Sequence, residues 1–256
     1  MFDWDACLYL KFSNERTQPA MDLAARIPTP DPKRIVDVGC GPGNSTFILA
    51  RKYKGAYVLG IDNSRPMIVT ARATHPELDW KLCDAATDLP SLGRDFDVVF
   101  SNACLQWVPD HGRVLADMMY ILRPGGTLAV QVPCNQEEPV KRFINETASS
   151  ERWKERLEGA RPFYTLTAAE YYDILQPLAA SVTLWETAYF HVLDSRDDIL
   201  EWYRGTALRP YYDQLSETER EDFEAELREG IRQCYPAQAS GRVLFRFPRL
   251  FFIAQK

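Results

Sequence analysis

The sequence predicts an α/β fold built on a mostly parallel sheet. Two observations indicate this class: short apolar runs alternate with longer stretches of helical character, and a glycine-rich turn follows the first run. Five runs are predicted as strands, namely Arg34 to Val38, Tyr57 to Ile61, Trp80 to Cys83, Asp97 to Phe100 and Thr127 to Val132. Strands that alternate with helices are typical of βαβ units, in which neighbouring strands run parallel.

The stretches between these strands are long enough to cross over as helices. Ser45 to Tyr53 lies between the first two strands, and Gly112 to Leu122 follows the fourth. Because proline and glycine interrupt regular structure, the turn Arg123-Pro124-Gly125-Gly126 is predicted to end the second helix and to start the fifth strand.

The second half of the sequence is richer in charged segments with helical character. Glu137 to Gly159 is charged and helical in character, and Ser216 to Gln233 carries a narrow apolar stripe, as in a solvated helix that packs on one face. Ser216 and Glu219 have the spacing of a capping box, which predicts that this helix starts at about Glu217.

Two late apolar runs, Val182 to Val192 and Val243 to Ala254, are predicted as strands that return the chain to the sheet. We therefore expect a single domain over residues 1–256. A helical cap is expected as two insertions over the active site, at about 136–178 and 194–240.

Composition excludes several classes of protein. Apolar residues make up 46% of the 256 residues and charged residues 26%, which is ordinary for a globular chain. The net charge of −6 opposes broad binding to a phosphate backbone, so no nucleic-acid partner is expected. The sequence has no long apolar stretch and no basic start, so we expect a cytoplasmic protein that makes no membrane contact.

The cysteines and histidines give no indication of a metal site. The six cysteines and three histidines are scattered, and none forms a Cys-x-x-Cys pair or a cluster with zinc-ligand spacing. We therefore expect reduced thiols and no metal. The sequence leaves the oligomeric state open.

A glycine-rich turn between a strand and a helix is the main candidate ligand site. Gly39, Gly41 and Gly43 stand at alternate positions, where the missing Cβ lets the backbone approach a ligand. A dinucleotide loop would need a third glycine at the position of Asn44. The pattern therefore favours a ligand without phosphates, although a plain strand-to-helix turn has the same composition.

Polar residues end the next three predicted strands. Asp62, followed by Asn63, closes the second strand about 20 residues beyond the loop, where an acid hydrogen-bonds ribose hydroxyls. The third strand ends at Asp84-Ala85 and the fourth at Ser101-Asn102. Each alone would also suit a helix cap or a turn. Together they predict a ligand site at the carboxyl edge of the sheet.

The segment Val36 to Gly43 resembles the first motif of the class I S-adenosylmethionine-dependent methyltransferases. The resemblance implies a Rossmann-like sheet whose last strand is antiparallel, and S-adenosyl-L-methionine as the cofactor. It implies that the glycine loop meets the methionine part, that Asp62 holds the ribose, and that Asp84-Ala85 meets adenine. No residue is assigned as a catalytic acid or base.

Further segments are similar to the trans-aconitate 2-methyltransferases. They are Trp4 to Ala20, Ser101 to His111, Trp185 to Tyr189, Glu201 to Pro210 and Val243 to Ala254. The resemblance spans nearly the whole chain and implies a small polycarboxylate as the methyl acceptor, esterified to its monomethyl ester. It adds Trp4, Tyr9, Arg16 and Trp107 to the expected cofactor-binding residues, although Trp4 and Tyr9 equally suit a helix that packs on the sheet.

A polycarboxylate acceptor should need arginines, whose planar guanidinium pairs with both oxygens of a carboxylate. The candidate acceptor-binding residues are Arg161, Trp202, Tyr203, Arg204, Arg209 and Arg246. Arg209 equally suits the C-terminal end of a helix, where a cation relieves the negative dipole. Arg204 equally suits a solvated position, and Arg246 equally suits a structural ion pair. Trp202 and Tyr203 equally suit a packed core.

Three other functions stay open on sequence alone. The first is a methyltransferase for another acceptor, such as an amine, a hydroxyl or a different polycarboxylate. The second is a non-catalytic sensor that binds the cofactor and a protein partner. The third is an NAD dehydrogenase, which Asn44 disfavours.

Overall fold

The computed structural model describes residues 13–160 and 163–256, except for the side chains of residues 13–16. These residues divide into two compact units. The first contains the described residues up to 133 together with 164–187 and 249–256, and the second contains 134–163 and 188–248. No helix in the described ranges is long and apolar enough to cross a membrane.

Seven strands form one sheet in the order β3-β2-β1-β4-β5-β7-β6. Their bounds are β1 Arg34–Val38, β2 Tyr57–Asp62, β3 Asp79–Leu82, β4 Phe96–Asn102, β5 Leu122–Pro133, β6 Ser181–Leu193 and β7 Val243–Gln255. The first five strands pair parallel, with Val36 beside both Leu59 and Val99. β7 runs antiparallel to β5, so the predicted fold class is confirmed.

Burial along the strands follows their place in the sheet. β1 and β4 are buried over almost their whole length, as expected of central parallel strands. β3 lies at one edge and buries only Trp80, and β6 at the other edge exposes about every second residue. The apolar runs that predicted the central strands are therefore runs in which nearly every residue is buried.

The bounds of the helices in the described residues are α1 Ser13–Ala25, α2 Asn44–Lys52, α3 Arg65–Thr74, α4 His111–Ile121, α5 Pro139–Ala148, α6 Lys154–Leu157, α7 Ala168–Leu175, α8 Arg196–Arg204, α9 Arg209–Tyr212 and α10 Glu217–Cys234. Three of these helices, α7, α8 and α10, begin with a capping box. Ser216 and Glu219 form the predicted capping box, so the predicted start of α10 is confirmed.

The turn before the fifth strand differs from its prediction. Residues 123–126 were expected to form a turn outside the strand, yet β5 already begins at Leu122, which pairs with Phe96. The register then shifts, so that Thr127 pairs with Val98. Gly125 lies within this irregularity at a φ of 75°, a value that glycine adopts without strain. Composition alone does not distinguish such a bulge from a turn.

Helix α7 lies in the first unit, since residues 164–178 belong to it. The ring of Tyr171 of α7 lies 4.7 Å from the ring of Phe252 and 5.6 Å from that of His111. Residues 188–193 and 241–248 belong to the second unit. The helical cap at about 136–178 and 194–240 stays a prediction.

Helices α5 and α10 pack closely within the second unit. A Cβ on Gly230 of α10 would lie 2.1 Å from the ring of Phe143, so glycine is what allows this approach.

Arg209 was expected at the end of a helix, but α8 ends at Arg204 and Arg209 begins α9. Pro210 explains the difference, because proline suits the first turn of a helix.

Candidate functional site

The loop between β1 and α2 is held against the end of β2. The backbone N–H groups of Gly39 and Cys40 both donate to the carbonyl oxygen of Ile61, at 2.8 and 2.9 Å. Gly39, Gly41 and Gly43 have φ angles of 74°, 54° and 102°. Only glycine adopts such angles routinely, so the alternate glycines are required by the path of the backbone.

The three glycines face different surroundings. A Cβ on Gly39 would lie 2.2 Å from Sγ of Cys104, and a Cβ on Gly43 would lie 2.7 Å from the ring of Trp80. A Cβ on Gly41 would meet no atom within 4 Å. Gly39 and Gly43 therefore let the protein pack on itself, whereas Gly41 borders open space that a ligand can fill.

Asp62 links the glycine loop to the end of β2. One carboxylate oxygen accepts the backbone N–H of Gly41 at 3.0 Å, and the other accepts that of Ser64 at 2.8 Å. Burial raises the pKa of Asp62, and these two hydrogen bonds oppose the shift. Because each carboxylate oxygen has two lone pairs, both oxygens can still accept from a ligand.

Asp37 is a second buried acid beneath the loop, and it is not among the residues predicted from the sequence. One of its oxygens accepts the hydroxyls of Ser45 and Thr46, both at 2.6 Å, and the other has no hydrogen-bond partner among the described residues. Burial raises the pKa of Asp37 to about 6, against the effect of the two hydroxyls. The signal available in the sequence was an acid inside an otherwise apolar strand.

A pocket lies beside the glycine loop in the first unit. It is lined by residues of α1, of the loop and α2, and of the end of β4: Thr17, Ala20, Gly39, Cys40, Pro42, Asn44, Ser45 and Asn102. Oδ1 of Asn102 is buried and has no hydrogen-bond partner in the described ranges. The structure therefore brings together Gly39, Asn44 and Asn102, as expected of parallel strands that end at one edge.

The remaining predicted cofactor-binding residues of this unit lie in the segments that follow β2, β3 and β4. Asp84 follows β3 and accepts the backbone N–H of Ala86 at 2.9 Å, while Ala85 is buried. Asn63 is exposed directly after Asp62. Trp107 is half-buried at the end of a short 3-10 helix that follows β4. Trp4 and Tyr9 lie outside the described residues, and so does the side chain of Arg16.

Two predicted acceptor-binding arginines are held by glutamates of the second unit. Arg204 donates through Nε to Glu224 at 2.7 Å, and its Nη2 pairs with the other oxygen of the same carboxylate. Arg246 pairs with Glu138. Arg209 is half-buried at the start of α9, and Arg161 lies outside the described residues.

Trp202 and Tyr203 are buried within the second unit. The ring of Trp202 stacks on that of His191 with centroids 4.8 Å apart, and the hydroxyl of Tyr203 accepts from the amide of Asn135 at 2.9 Å. Phe245 contacts both aromatic rings. Both side chains therefore pack in the core of this unit.

The groups around the glycine loop are hydrogen-bond acceptors, since Asp37, Asp62 and Asn102 all present oxygens. Such a site suits a ligand that has hydroxyls and an ammonium group. In the described part of the chain, no group of three or more His, Cys, Asp and Glu residues could hold a metal ion. Two features define a methyltransferase of class I fold. One is the parallel sheet with an antiparallel last strand, and the other is the set of acceptor oxygens around the glycine loop.

Comparison with known proteins narrows this class. A family model described as a methyltransferase domain matches residues 35–126. The chain is 45% identical to the trans-aconitate 2-methyltransferase of Azoarcus sp. strain BH72, over 98% of both chains. It is 46% identical to that of Rhodopseudomonas palustris strain BisB18, over the full length of both. The chain belongs to the trans-aconitate 2-methyltransferase family and is an S-adenosyl-L-methionine-dependent methyltransferase.

Solved structures show the same fold at low sequence identity. The YcgJ protein of Bacillus subtilis superposes with a TM-score of 0.64 at 14% identity, and the match covers 93% of this chain and 98% of that one. At this identity the likeness establishes the architecture and not the substrate.

Proposed function

We propose that this protein transfers the methyl group of S-adenosyl-L-methionine to a carboxylate oxygen of trans-aconitate. The products are the monomethyl ester and S-adenosylhomocysteine. One observation carries the proposal: the similarity to proteins named trans-aconitate 2-methyltransferase covers 98% or more of the chain. Because one fold hosts many functions, similarity confined to the glycine loop would indicate only the methyl donor.

The residues around the glycine loop fit this methyl donor. Gly41 borders open space, both oxygens of Asp62 keep a lone pair for ribose hydroxyls, and Oδ1 of Asn102 offers an acceptor to the ammonium of the methionine end. Adenine is assigned to the Asp84-Ala85 position. When bound, S-adenosyl-L-methionine supplies a methyl group that its sulfonium already activates.

The reaction requires positioning more than proton transfer. A carboxylate has a reference pKa of about 4, so the acceptor is ionised at neutral pH. One bond forms between its oxygen and the methyl carbon while the carbon–sulfur bond breaks, and the electron pair of that bond goes to sulfur. No proton moves. Alignment of two bound partners can therefore supply much of the rate acceleration.

Arg161 and Arg209 are the proposed partners of the acceptor's carboxylates. The reason is the planar guanidinium of arginine, which pairs with both oxygens of a carboxylate. Replacing Arg209 with leucine is expected to raise the KM for trans-aconitate while leaving the Kd of S-adenosyl-L-methionine unchanged.

A cytoplasmic location and the lack of a nucleic-acid partner remain predictions from composition.

A product assay tests the proposal. The purified protein is incubated with S-adenosyl-L-methionine and a panel of acceptors that contains trans-aconitate, its cis isomer, citrate, an amine and an alcohol. We expect S-adenosylhomocysteine, and an acid heavier by one methylene group, with trans-aconitate above all. Turnover with only the amine or the alcohol would overturn the proposed acceptor. Cofactor binding without turnover of any acceptor would favour the sensor.

A further inference from the structure

Gln131 is a buried glutamine whose amide makes no hydrogen bond in the part of the chain that the structure describes. It lies near the end of β5, and 0% of its surface is exposed. Its Nε2 and its Oε1 are both buried without a partner. Few buried polar groups in proteins lack a partner, because such a group has lost its water and gained nothing in exchange. An amide with neither end bonded therefore needs a role that offsets its cost.

The sheet gives Gln131 two neighbours, and neither of them satisfies the amide. Asn102 of β4 is its partner on one side, and Phe251 of β7 is its partner on the other. Phe251 is fully buried and has no polar side-chain atom, and its ring stacks on that of Trp185 with centroids 5.1 Å apart. Oδ1 of Asn102 is itself buried and has no partner within residues 13–160 and 163–256. Two neighbouring carboxamides therefore both have atoms that a ligand can use.

This pair of carboxamides lies beside the pocket at the glycine loop. Asn102 lines that pocket together with Gly39 and with Ala20 of α1. Side chains alternate between the two faces of a sheet, so residues that pair across neighbouring strands lie on the same face, and Gln131 shares the face of Asn102. The proposed position of the methyl donor places the ammonium of its methionine end at Asn102. Gln131 is one strand further along the sheet, toward β7.

The turn after Asn102 is held by a third carboxamide. Ala103 has a φ of 54°, which is uncommon for a residue other than glycine. Its N–H donates to the backbone carbonyl of Gln131 at 3.0 Å, and its carbonyl accepts from Nε2 of Gln106 at 2.7 Å. Oε1 of Gln106 is buried, again without a partner among the described residues. Backbone strain that its surroundings hold in place is concentrated at functional sites, and here it lies between β4 and the amides.

A positive charge lies on the same face of the neighbouring strand. Arg249 of β7 pairs with Pro133, which is two residues beyond Gln131 on β5 and therefore on the same face. Only 6% of the surface of Arg249 is exposed. A guanidinium has five N–H donors, which is more than one partner takes, so Arg249 can still donate to a ligand. Nε2 of Gln131 and the guanidinium of Arg249 together supply donors and positive charge, which suit a carboxylate.

We propose that Gln131 binds one carboxylate of the small polycarboxylic acid acceptor through its Nε2, with the charge of Arg249 beside it. This inference rests on the proposed function for the identity of the acid, and it adds Gln131 to Arg161 and Arg209 as a binding residue. A neutral amide suits a carboxylate near the methyl donor, because it orients the group without neutralising the charge that attacks the methyl carbon. Gln131 was not predicted, since a glutamine inside an apolar run does not reveal whether its amide has a partner.

Calorimetry on matched variants tests the role of Gln131. Gln131→Met keeps the length of the side chain and removes both hydrogen-bonding atoms, and Gln131→Glu keeps the shape but adds a negative charge. Gln255→Met is the control, because Gln255 lies at the opposite end of the β5–β7 pair and its Oε1 accepts from Ser181 at 3.0 Å. Each protein is titrated with trans-aconitate in the presence of saturating S-adenosylhomocysteine. We expect Gln131→Met to weaken binding at least tenfold, Gln131→Glu to weaken it more, and Gln255→Met to leave it within twofold.

Two further measurements distinguish a binding role from a structural one. Gln131→Met removes a buried polar group that has no partner, so we expect the unliganded variant to melt no lower than the wild type. Its Kd for S-adenosylhomocysteine should stay within twofold of the wild-type value. A variant that melts lower and binds the acid normally would show that the amide is structural. Weaker binding of S-adenosylhomocysteine with unchanged binding of the acid would assign the amide to the methyl donor. Either result overturns the inference.

Three outcomes separate this inference from the proposed function. If Gln131→Met binds the acid as tightly as the wild type, and the wild type methylates it, the inference fails and the proposed function stands. If Gln131→Met binds the acid more weakly, but the wild type transfers no methyl group to it, the inference stands and the proposed function fails. If no acid of the panel binds the wild type, both fail.

Discussion

The hydroxyl of Tyr171 lies 3.0 Å from Nδ1 of His111, and both side chains are buried. Nε2 of the same ring lies 2.8 Å from the carbonyl oxygen of Leu105. A carbonyl only accepts, so Nε2 carries the hydrogen. Burial lowers the pKa of His111 and keeps the ring neutral, and Nδ1 therefore accepts from Tyr171. The contact joins α7 to the segment that follows β4, which carries Trp107.

Replacing Tyr171 with phenylalanine should destabilise the protein. The change removes the hydrogen that Nδ1 of His111 accepts and leaves a buried acceptor without a partner. We expect the free energy of unfolding to fall by about 1–3 kcal/mol. Urea denaturation measures it, with Tyr172→Phe as the control, because Tyr172 is 45% exposed. Equal stability of the two variants would show that the contact contributes nothing.

The sheet could be predicted because its central strands need unbroken apolar runs. Residues 34–38 were predicted without error, and the ends of β2 to β4 were predicted to within two residues. The start of β5 was not, because Gly125 and Gly126 lie inside a β-bulge that has the composition of a turn. The capping box of α10 could also be predicted, because both of its hydrogen bonds lie within four residues of the chain.

The candidate site could be predicted only as far as the loops at the strand ends. Gly39 and Gly41 are equivalent in the sequence, and only the position of Cys104 distinguishes them. The partners of Asp37 are known only once α2 has folded against β1. The surroundings of Gln131 depend on the order of the strands, which an apolar run does not reveal. These features depend on contacts between residues distant in the chain.

Two glycine substitutions should separate packing from ligand binding. Gly39→Ala and Gly41→Ala both place a Cβ at positive φ, which costs about 1–2 kcal/mol. Gly39→Ala also clashes with Cys104, so we expect it to be the less stable variant. Gly41→Ala meets no protein atom but fills the space assigned to the methyl donor. Calorimetry should then show at least tenfold weaker binding of S-adenosyl-L-methionine to Gly41→Ala, relative to wild type, while its stability falls only by the cost of the positive φ. Unchanged affinity would place the ligand elsewhere.

Asp62→Asn should weaken the binding of S-adenosyl-L-methionine. The change preserves the shape of the side chain but replaces one of the two carboxylate oxygens by an amide group that donates. We expect a loss of about 1–3 kcal/mol, the range for a hydrogen bond to a charged group. Asp79→Asn is the control, because Asp79 is exposed at the start of β3. If both variants bind the methyl donor equally well in calorimetry, the assignment of Asp62 to the ribose is wrong.

Asp37 should make the protein less stable as the pH rises. Its pKa is about 6 in the folded protein, above its model value of 3.8, so the folded state binds the proton more tightly. Its contribution to stability is therefore full below pH 3.8 and is lost as the pH rises through about 6. We expect Asp37→Asn to remove a loss on the order of 2–3 kcal/mol, since each unit corresponds to about 1.4 kcal/mol.

Unfolding free energies of the wild type and Asp37→Asn, measured at intervals between about pH 4.5 and 7.5, check this prediction. The difference between the two proteins should grow in favour of the variant as the pH rises. Subtraction removes the contribution of His111, which has the opposite sign because its pKa is lowered by burial. Parallel curves would mean that Asp37 does not titrate in this range.

The rate of methyl transfer should depend little on pH, because the proposed acceptor needs no base. A hydroxyl or an ammonium must lose a proton before or during attack, so its rate rises with the ionisation of a general base. A carboxylate is ionised well above its pKa of about 4, and the titration of Asp37 also lies below neutrality. We therefore expect kcat for trans-aconitate to be nearly flat from about pH 6.5 to 9 at saturating acid and methyl donor. Burst kinetics establish first that product release does not limit the rate. A tenfold rise that follows a single ionisation would then indicate a general base, and with it a hydroxyl or an amine as the true acceptor.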